Sequence, residues 1–416
     1  MKQSILSKDG VSYVVPFILI TSCFALWGFA NDITNPMVKA FSKIFRMSAT
    51  DGALVQVAFY GGYFAMAFPA AMFIRRYSYK AGVLVGLGLY ALGAFMFYPA
   101  KMTGEYYPFL IAYFILTCGL SFLETSSNPY ILSMGTEETA TRRLNLAQSF
   151  NPMGSLLGMY VAMNFIQAKL NPLDTASRAD LTPAEFEAVK EYDLSVLIGP
   201  YLAIGLVILA MFVLILFWRM PKNGDKNHNI DFVPTLRRIF AMPHYREGVI
   251  AQFFYVGVQI MCWTFIIQYG TRVLMADGMA EQAAEVTSQQ YNILAMIIFC
   301  CSRFICTFLL RYVNTGRLLT VLAIVGGLLV VGVIGLQNIY GLYCLVGVSA
   351  CMSLMFPTIY GIALTGLGDD AKFGAAGLIM AILGGSVLPP FQAAIIDQGE
   401  LLGMPAVNVS FILPFV

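Results

Sequence analysis

Apolar runs long enough to cross a bilayer recur along the whole chain, and they leave few folds open to it. Spanning the hydrocarbon takes about 20 apolar residues per helix. Such runs fall at about 11–41, 51–74, 79–100, 106–134, 140–167, 195–219, 246–274, 283–312, 316–337, 340–367, 370–398 and from 404 onward. Hydrophobic residues make up 58% of the chain and charged ones only 12%. No water is present in a bilayer core to satisfy backbone groups, so runs of this length must be helices. The chain reads as an all-α, multi-pass membrane protein with 12 transmembrane helices. The first run passes signal-peptide length without a small-x-small cleavage site and reads as a span. The last run reads as a helix cut short at Val416.

What the sequence lacks narrows the function. A net charge of +2 offers no electrostatic footprint for nucleic acid. All eight cysteines fall inside apolar runs without a Cys-x-x-Cys, so they read as small buried hydrophobes. The only histidines, His228 and His244, share one hydrophilic linker, which leaves no histidine-based metal site or catalytic triad within the membrane. There is no Walker motif, Rossmann fingerprint or nucleophile elbow. An enzyme, a cofactor-dependent protein and a primary pump are all disfavoured.

Orientation follows from the basic residues in the connections. With the amino terminus placed in the cytoplasm, 16 of the 25 Lys and Arg fall on that side and eight on the other, with Arg303 left inside a span. Both termini are therefore expected in the cytoplasm. An acidic outside loop, 168–194, carries Thr182 and Glu185 at the spacing of a capping box for a short outside helix. A cytoplasmic linker, 220–245, contains the amphipathic piece FVPTLRRIF and divides the chain into six-helix halves, 1–219 and 246–416. FIRRYSYKAGVLVG after the second run echoes LLRYVNTGRLLTV after the eighth. Two parallel halves are the pattern of major facilitator transporters, which bind substrate at mid-membrane between them.

Polar residues inside the runs are the functional candidates. In FALWGFANDITNPMVKAF, residues 24–41, the apolar sequence is interrupted by Asn31, Asp32, Thr34, Asn35 and Pro36. An ionised carboxylate in hydrocarbon costs several kcal/mol, so such an acid faces a bundle interior or a water-filled cavity. Asp32 and Asn35 share a helix face with Phe29. The alternative is a polar helix end leaving the bilayer, because Lys39, Lys43 and Arg46 follow. Glu124, in GLSFLETSSNPYILSMG, lies deeper, with Thr125, Ser127 and Asn128 on the same helix and Pro129 expected to break it.

Asn145, Gln148 and Asn151 in RRLNLAQSFNPMG form an i, i+3, i+6 stripe that lines a cavity or bonds a neighbouring helix. In AQFFYVGVQIMCWTFIIQYG, one helix face carries Gln252, Gln259 and Trp263, with Tyr255 beside them. Amides and an indole suit a sugar, whose hydroxyls need donors and acceptors while its apolar ring face stacks on an aromatic. Interhelical amide bonding with a Trp anchor is the competing reading. Trp27 offers a second stacking surface, and Arg303 reads as gating or structural.

The pieces FALWGFAND, VAFYGGYF, YSYKAGVLVGLGLYALGA, LETSSNPY, RLNLAQSFN and AQFFYVGVQIMCW together resemble the fucose/proton symporter family of the major facilitator superfamily, over nearly the whole chain. The resemblance implies a monomeric, alternating-access importer in the bacterial inner membrane, moving a small neutral hexose such as L-fucose with a proton. It implies ion coupling through Glu124 and a first-helix acid. An ungapped alignment on Trp27 places that acid at Asn35, whereas this chain carries Asp32 one turn earlier. Asp32 either takes over as proton carrier or helps hold sodium, as in a sodium-coupled glucose/galactose-type symporter. The resemblance also implies sugar contacts from Trp27, Asn31, Gln148 and Asn151; Asn35 reads as a further sugar contact, and Asn128 and Asn145 read as gating or structural. The alternative of another class is a sugar sensor that keeps the fold without flux.

Overall fold

Helices account for nearly all of the computed structural model, which describes residues 6–8, 11–34, 37–47, 54–173, 177–178, 180–221, 232–401 and 403–416. Among the described residues, 10 helices are long and apolar enough to cross a membrane, and Ala406–Phe415 forms a shorter apolar one. The expected fifth span makes up the twelfth; it falls short of that test because it is polar and broken. Local chemistry sets several ends. Ser78 accepts from Ala81 N at 3.0 Å to start Tyr79–Thr103, and Gly104 closes that helix in the left-handed region. Thr182 and Glu185 form the expected capping box.

Several expected boundaries are corrected. Val11–Ser12 pairs as a strand with Ser7–Lys8, and the first span is the helix Val14–Thr34, followed by Met37–Ile44. The capping box does not begin a separate outside helix. It begins Pro183–Phe217, which runs unbroken into the sixth span because nothing between Glu185 and Leu194 interrupts the backbone. Pro129 is carried inside the Tyr107–Ser133 helix and does not end it.

The fifth span breaks between Ala140–Gln148 and Asn151–Val161, and the tenth between Ile339–Met352 and Met355–Ala363. A proline follows each break, Pro152 and Pro357, and each ring removes a backbone donor and crowds the turn before it. The last run opens with the hairpin Glu400–Leu401/Met404–Pro405 before its short helix. Residues 222–231 of the linker lie outside the described residues.

Contacts gather the chain into two units. The first comprises Met1–Thr136, Met153–Leu236 and Leu367–Ile379; the second comprises Glu137–Pro152, Arg237–Gly366 and Met380–Val416. Each unit thus takes a segment from the other half of the sequence. In the first unit, the tight packing of Tyr79–Thr103 on Tyr107–Ser133 follows from glycine. A Cβ at Gly93 would stand 2.5 Å from Leu116 N, and one at Gly119 2.5 Å from Tyr90 N. Small residues let helices approach where no hydrophobic effect drives them together. Tyr201 stacks on Phe97 at 4.0 Å and shares a 2.6 Å hydrogen bond with the Tyr113 hydroxyl.

Toward the connection after Val161, Asp193 and Arg178 form a fully buried ion pair at 2.6 Å. The second unit packs around Tyr255, Phe265, Tyr269, Phe299 and Phe411. Gly93→Ala should destabilise the protein by about 1–3 kcal/mol, the usual cost of overpacking. Gly88→Ala on the same helix, where the nearest neighbour would be 3.8 Å away, should leave stability unchanged. Thermal unfolding of the two purified variants checks this; equal melting temperatures would contradict the packing account.

Candidate functional site

The expected site residues fall into two groups, one in each unit. In the first unit, Trp27, Asn31 and Asp32 occupy the last two turns of Val14–Thr34. Trp27 is buried and packs its ring 4.0 Å from Phe24. Asn31 keeps a buried amide oxygen without a hydrogen-bond partner among the described residues. Asp32 is partly buried. Asn35 and Pro36 lie outside the described residues.

Glu124 is 5% exposed, in the middle of Tyr107–Ser133. Its Oε1 accepts a hydrogen bond from the Tyr63 hydroxyl at 3.1 Å. Tyr63 is held in turn through its own carbonyl, which accepts from Ser121 Oγ at 3.1 Å. Among the described residues no cation pairs with Glu124. Asn128 donates to the Glu124 carbonyl at 3.1 Å, one turn back along the helix. Thr125 and Ser127 keep buried hydroxyl oxygens without partners among the described residues. This is unusual, since buried polar atoms are nearly always satisfied. Polar capacity therefore collects around one carboxyl on the first-unit helices.

In the second unit, Arg303 organises the site. Its Nη1 donates to Gln148 O at 3.0 Å and its Nε to Ser353 O at 2.6 Å, while its guanidinium lies 4.5 Å from the Phe299 ring. These two carbonyls lie four residues before Pro152 and Pro357, the positions whose helical donor each proline lacks. One fixed fork of donors thus satisfies two acceptors that the helix breaks leave open. Tyr255 donates to the adjacent Met352 O at 2.8 Å. Asn145 donates to Thr358 Oγ1 at 3.2 Å, and Ser149 lies 3.5 Å from Thr307 Oγ1.

The break also splits the expected stripe. Asn145 and Gln148 end one helix, while Asn151 starts the next and is partly buried. On Pro243–Ala276, Trp263 donates its indole N–H to Ser349 Oγ at 3.2 Å and packs edge-to-face on Phe299 at 4.9 Å. The Tyr255 hydroxyl and the indole N–H are thus engaged by the protein. Gln259 is partly buried, and Gln252 is fully buried with both amide atoms lacking partners among the described residues.

Sequence reasoning missed Tyr63, Ser349 and the paired carbonyls. The carbonyls had a signal, the residue four before each proline; Tyr63 had none beyond its place in VAFYGGYF. The described residues hold no group of three or more His, Cys, Asp or Glu suited to a metal.

The comparisons agree with this architecture. The sequence profile of the Major Facilitator Superfamily matches residues 20–389. The L-fucose-proton symporter of Haemophilus influenzae is 51% identical over 424 residues, covering 100% of this chain and 96% of that protein. The L-fucose-proton symporter of Escherichia coli is 32% identical, covering 93% of this chain and 88% of that protein. The crystal structure of the major facilitator transporter FucP in the outward conformation matches with a TM-score of 0.86 at 31% identity, over 97% of each chain. This chain belongs to the Major Facilitator Superfamily.

Proposed function

We propose that this multi-pass membrane protein is a proton-coupled sugar symporter that imports L-fucose by alternating access. We place it as a monomer in the bacterial inner membrane with both termini in the cytoplasm. The observation that carries the reading is Glu124, a buried acid bound by a phenol and, among the described residues, by no cation, in a chain 51% identical to an L-fucose-proton symporter. Sealing an ionised carboxylate away from water costs several kcal/mol. Sealing the protonated acid costs little beyond its hydrogen bonds.

A proton on Glu124 therefore licenses closure over the sugar, and its departure on the cytoplasmic side follows sugar release. Asp32 is the second proton-linked acid, nearer the end of its helix. The Asn31 amide oxygen and the Gln252 amide, without partners among the described residues, supply acceptors and donors to hydroxyls, together with Gln259, Gln148 and Asn151. Trp27 and Trp263 supply stacking surfaces.

Contacts join the two sequence halves within each unit. Within the second unit Arg303 and Thr358 hold Gln148 and Asn145. Within the first unit Arg75 pairs with Asp370 at 3.6 Å and donates to Asp369 O, while Lys372 reaches Ile74 O and lies 4.7 Å from the Tyr79 ring. The proposed orientation puts all of these toward the cytoplasm, so inward opening must break them. Asn145 and Arg303 thus act in gating, and Asn128 supports the Glu124 turn.

Uptake of labelled L-fucose into vesicles tests the reading. Accumulation should follow an imposed pH gradient and ignore a sodium gradient; the reverse would replace the proton with sodium, and no uptake or counterflow at all would leave a sensor. Glu124→Gln should lose accumulation by about tenfold or more, equivalent to at least 1.4 kcal/mol of coupling, while still exchanging sugar in counterflow. Full accumulation by this variant would remove Glu124 from coupling. Arg303→Lys keeps the charge but loses the fork, so it should slow counterflow about tenfold at unchanged ion dependence. Wild-type counterflow in that variant would reduce Arg303 to packing.

A further inference from the structure

The helix Pro243–Ala276 carries a second polar cluster beyond Trp263, with a cavity of its own. Gln259, Trp263, Ile267, Thr271 and Met275 follow one another at four-residue spacing, so they form a single row along the helix. The last three line a cavity of about 490 Å³, within the range that holds small ligands. Thr264, Gln268 and Arg272 line it from the adjoining face, and Glu285 borders it from the Glu281–Leu309 helix. Two charged and three neutral polar side chains gathered in one recess argue for a watered cavity and against contact with hydrocarbon.

The chemistry of the lining selects the ligand. Arg272 Nη1 donates to Asn408 Oδ1 at 3.3 Å, and buried Asn408 is itself anchored to Val333 O at 3.0 Å. The guanidinium is thereby held in place with further N–H groups left over. Among the described residues Glu285 forms no ion pair with Arg272, and the side chains of Thr264 and Gln268 make no hydrogen bond within the protein. An anionic ligand such as a lipid phosphate would meet the Glu285 carboxylate, with Glu400 also close to Arg272, and a cationic one would meet Arg272. A neutral polyol satisfies both: its hydroxyl hydrogens go to the carboxylate, its oxygens accept from guanidinium and amide, and its apolar face rests on Ile267 and Met275.

We infer that this cavity is an outer docking site for the transported sugar, occupied before the sugar passes along the row to Trp263 and Gln259. The inference rests on the transport reading and on the orientation that places this end of the helix outside. Thr271 and Gln259 are 12 residues apart, which separates the two stations by about 18 Å at about 1.5 Å per residue.

Zero-trans L-fucose influx and efflux in oriented proteoliposomes test it, using Glu285→Gln and Gln268→Ala. Each variant should raise the half-saturating concentration for influx about three- to tenfold, the loss of one hydrogen-bonding partner, and leave that for efflux at the wild-type value. A merely structural role would shift both directions together. Unchanged influx in both variants, equal shifts in influx and efflux, or an influx shift that disappears in vesicles without anionic phospholipid would each overturn the docking site alone. A wild-type protein that carries no L-fucose would overturn the transport reading and this site with it.

Discussion

A carboxyl group in the middle of an apolar helix sets the terms for the rest of the molecule. Glu124 can remain there because Tyr63 offers one hydrogen bond and the surrounding helices exclude water. A full ion pair would hold the carboxylate charged in every state. A neutral phenol does not, since it can donate to the ionised form and accept from the protonated one. The tight helix packing at Gly93 and Gly119 matters in this light. It fixes the backbone of the helix that carries Glu124 against a neighbour with no room to slide.

The second unit solves a different problem. Two helices are broken by proline, and a break inside a membrane leaves carbonyls that neither water nor lipid satisfies. Arg303 satisfies both with one side chain and so ties Gln148, from the first half of the sequence, to Ser353, from the second. The bonds are charge-assisted, and that makes them strong enough to hold a conformation. They end on carbonyls and involve no opposite charge, so breaking them exposes no unpaired carboxylate. Arg75 with Asp370, and Lys372 beside Tyr79, do comparable work in the first unit with a mixture of ion pairing and ring contact.

Much of this was legible in the residues, for identifiable reasons. Span number and class follow from hydropathy because a bilayer permits so little else, and the capping box at Thr182 and Glu185 is local chemistry. Glu124 stood out because acids at that depth are rare. The breaks near Ser149 and Ser353 were not anticipated, since the apolar pattern continues across them while the interruption comes from single prolines downstream. The continuity of Pro183–Phe217 was missed because its first turns are polar and its helical signal is capping and propensity, not periodicity. The partners of Arg303, Tyr255 and Trp263 are at least 50 residues away in sequence and are backbone carbonyls or hydroxyls, which carry no sequence signature. Asn35, where the family resemblance sets the first-helix acid, lies outside the described residues, and Asp32 carries that charge one turn earlier.

The account turns on a proton entering with the sugar through the side chain of Glu124. It is tested most directly by adding L-fucose to de-energised, weakly buffered vesicles and following external pH and labelled sugar together. The wild-type protein should make the medium alkaline as sugar enters, whereas Glu124→Gln should equilibrate the sugar without moving the pH. An alkaline response of wild-type size in Glu124→Gln would contradict the account, because the proton would then be travelling by another group.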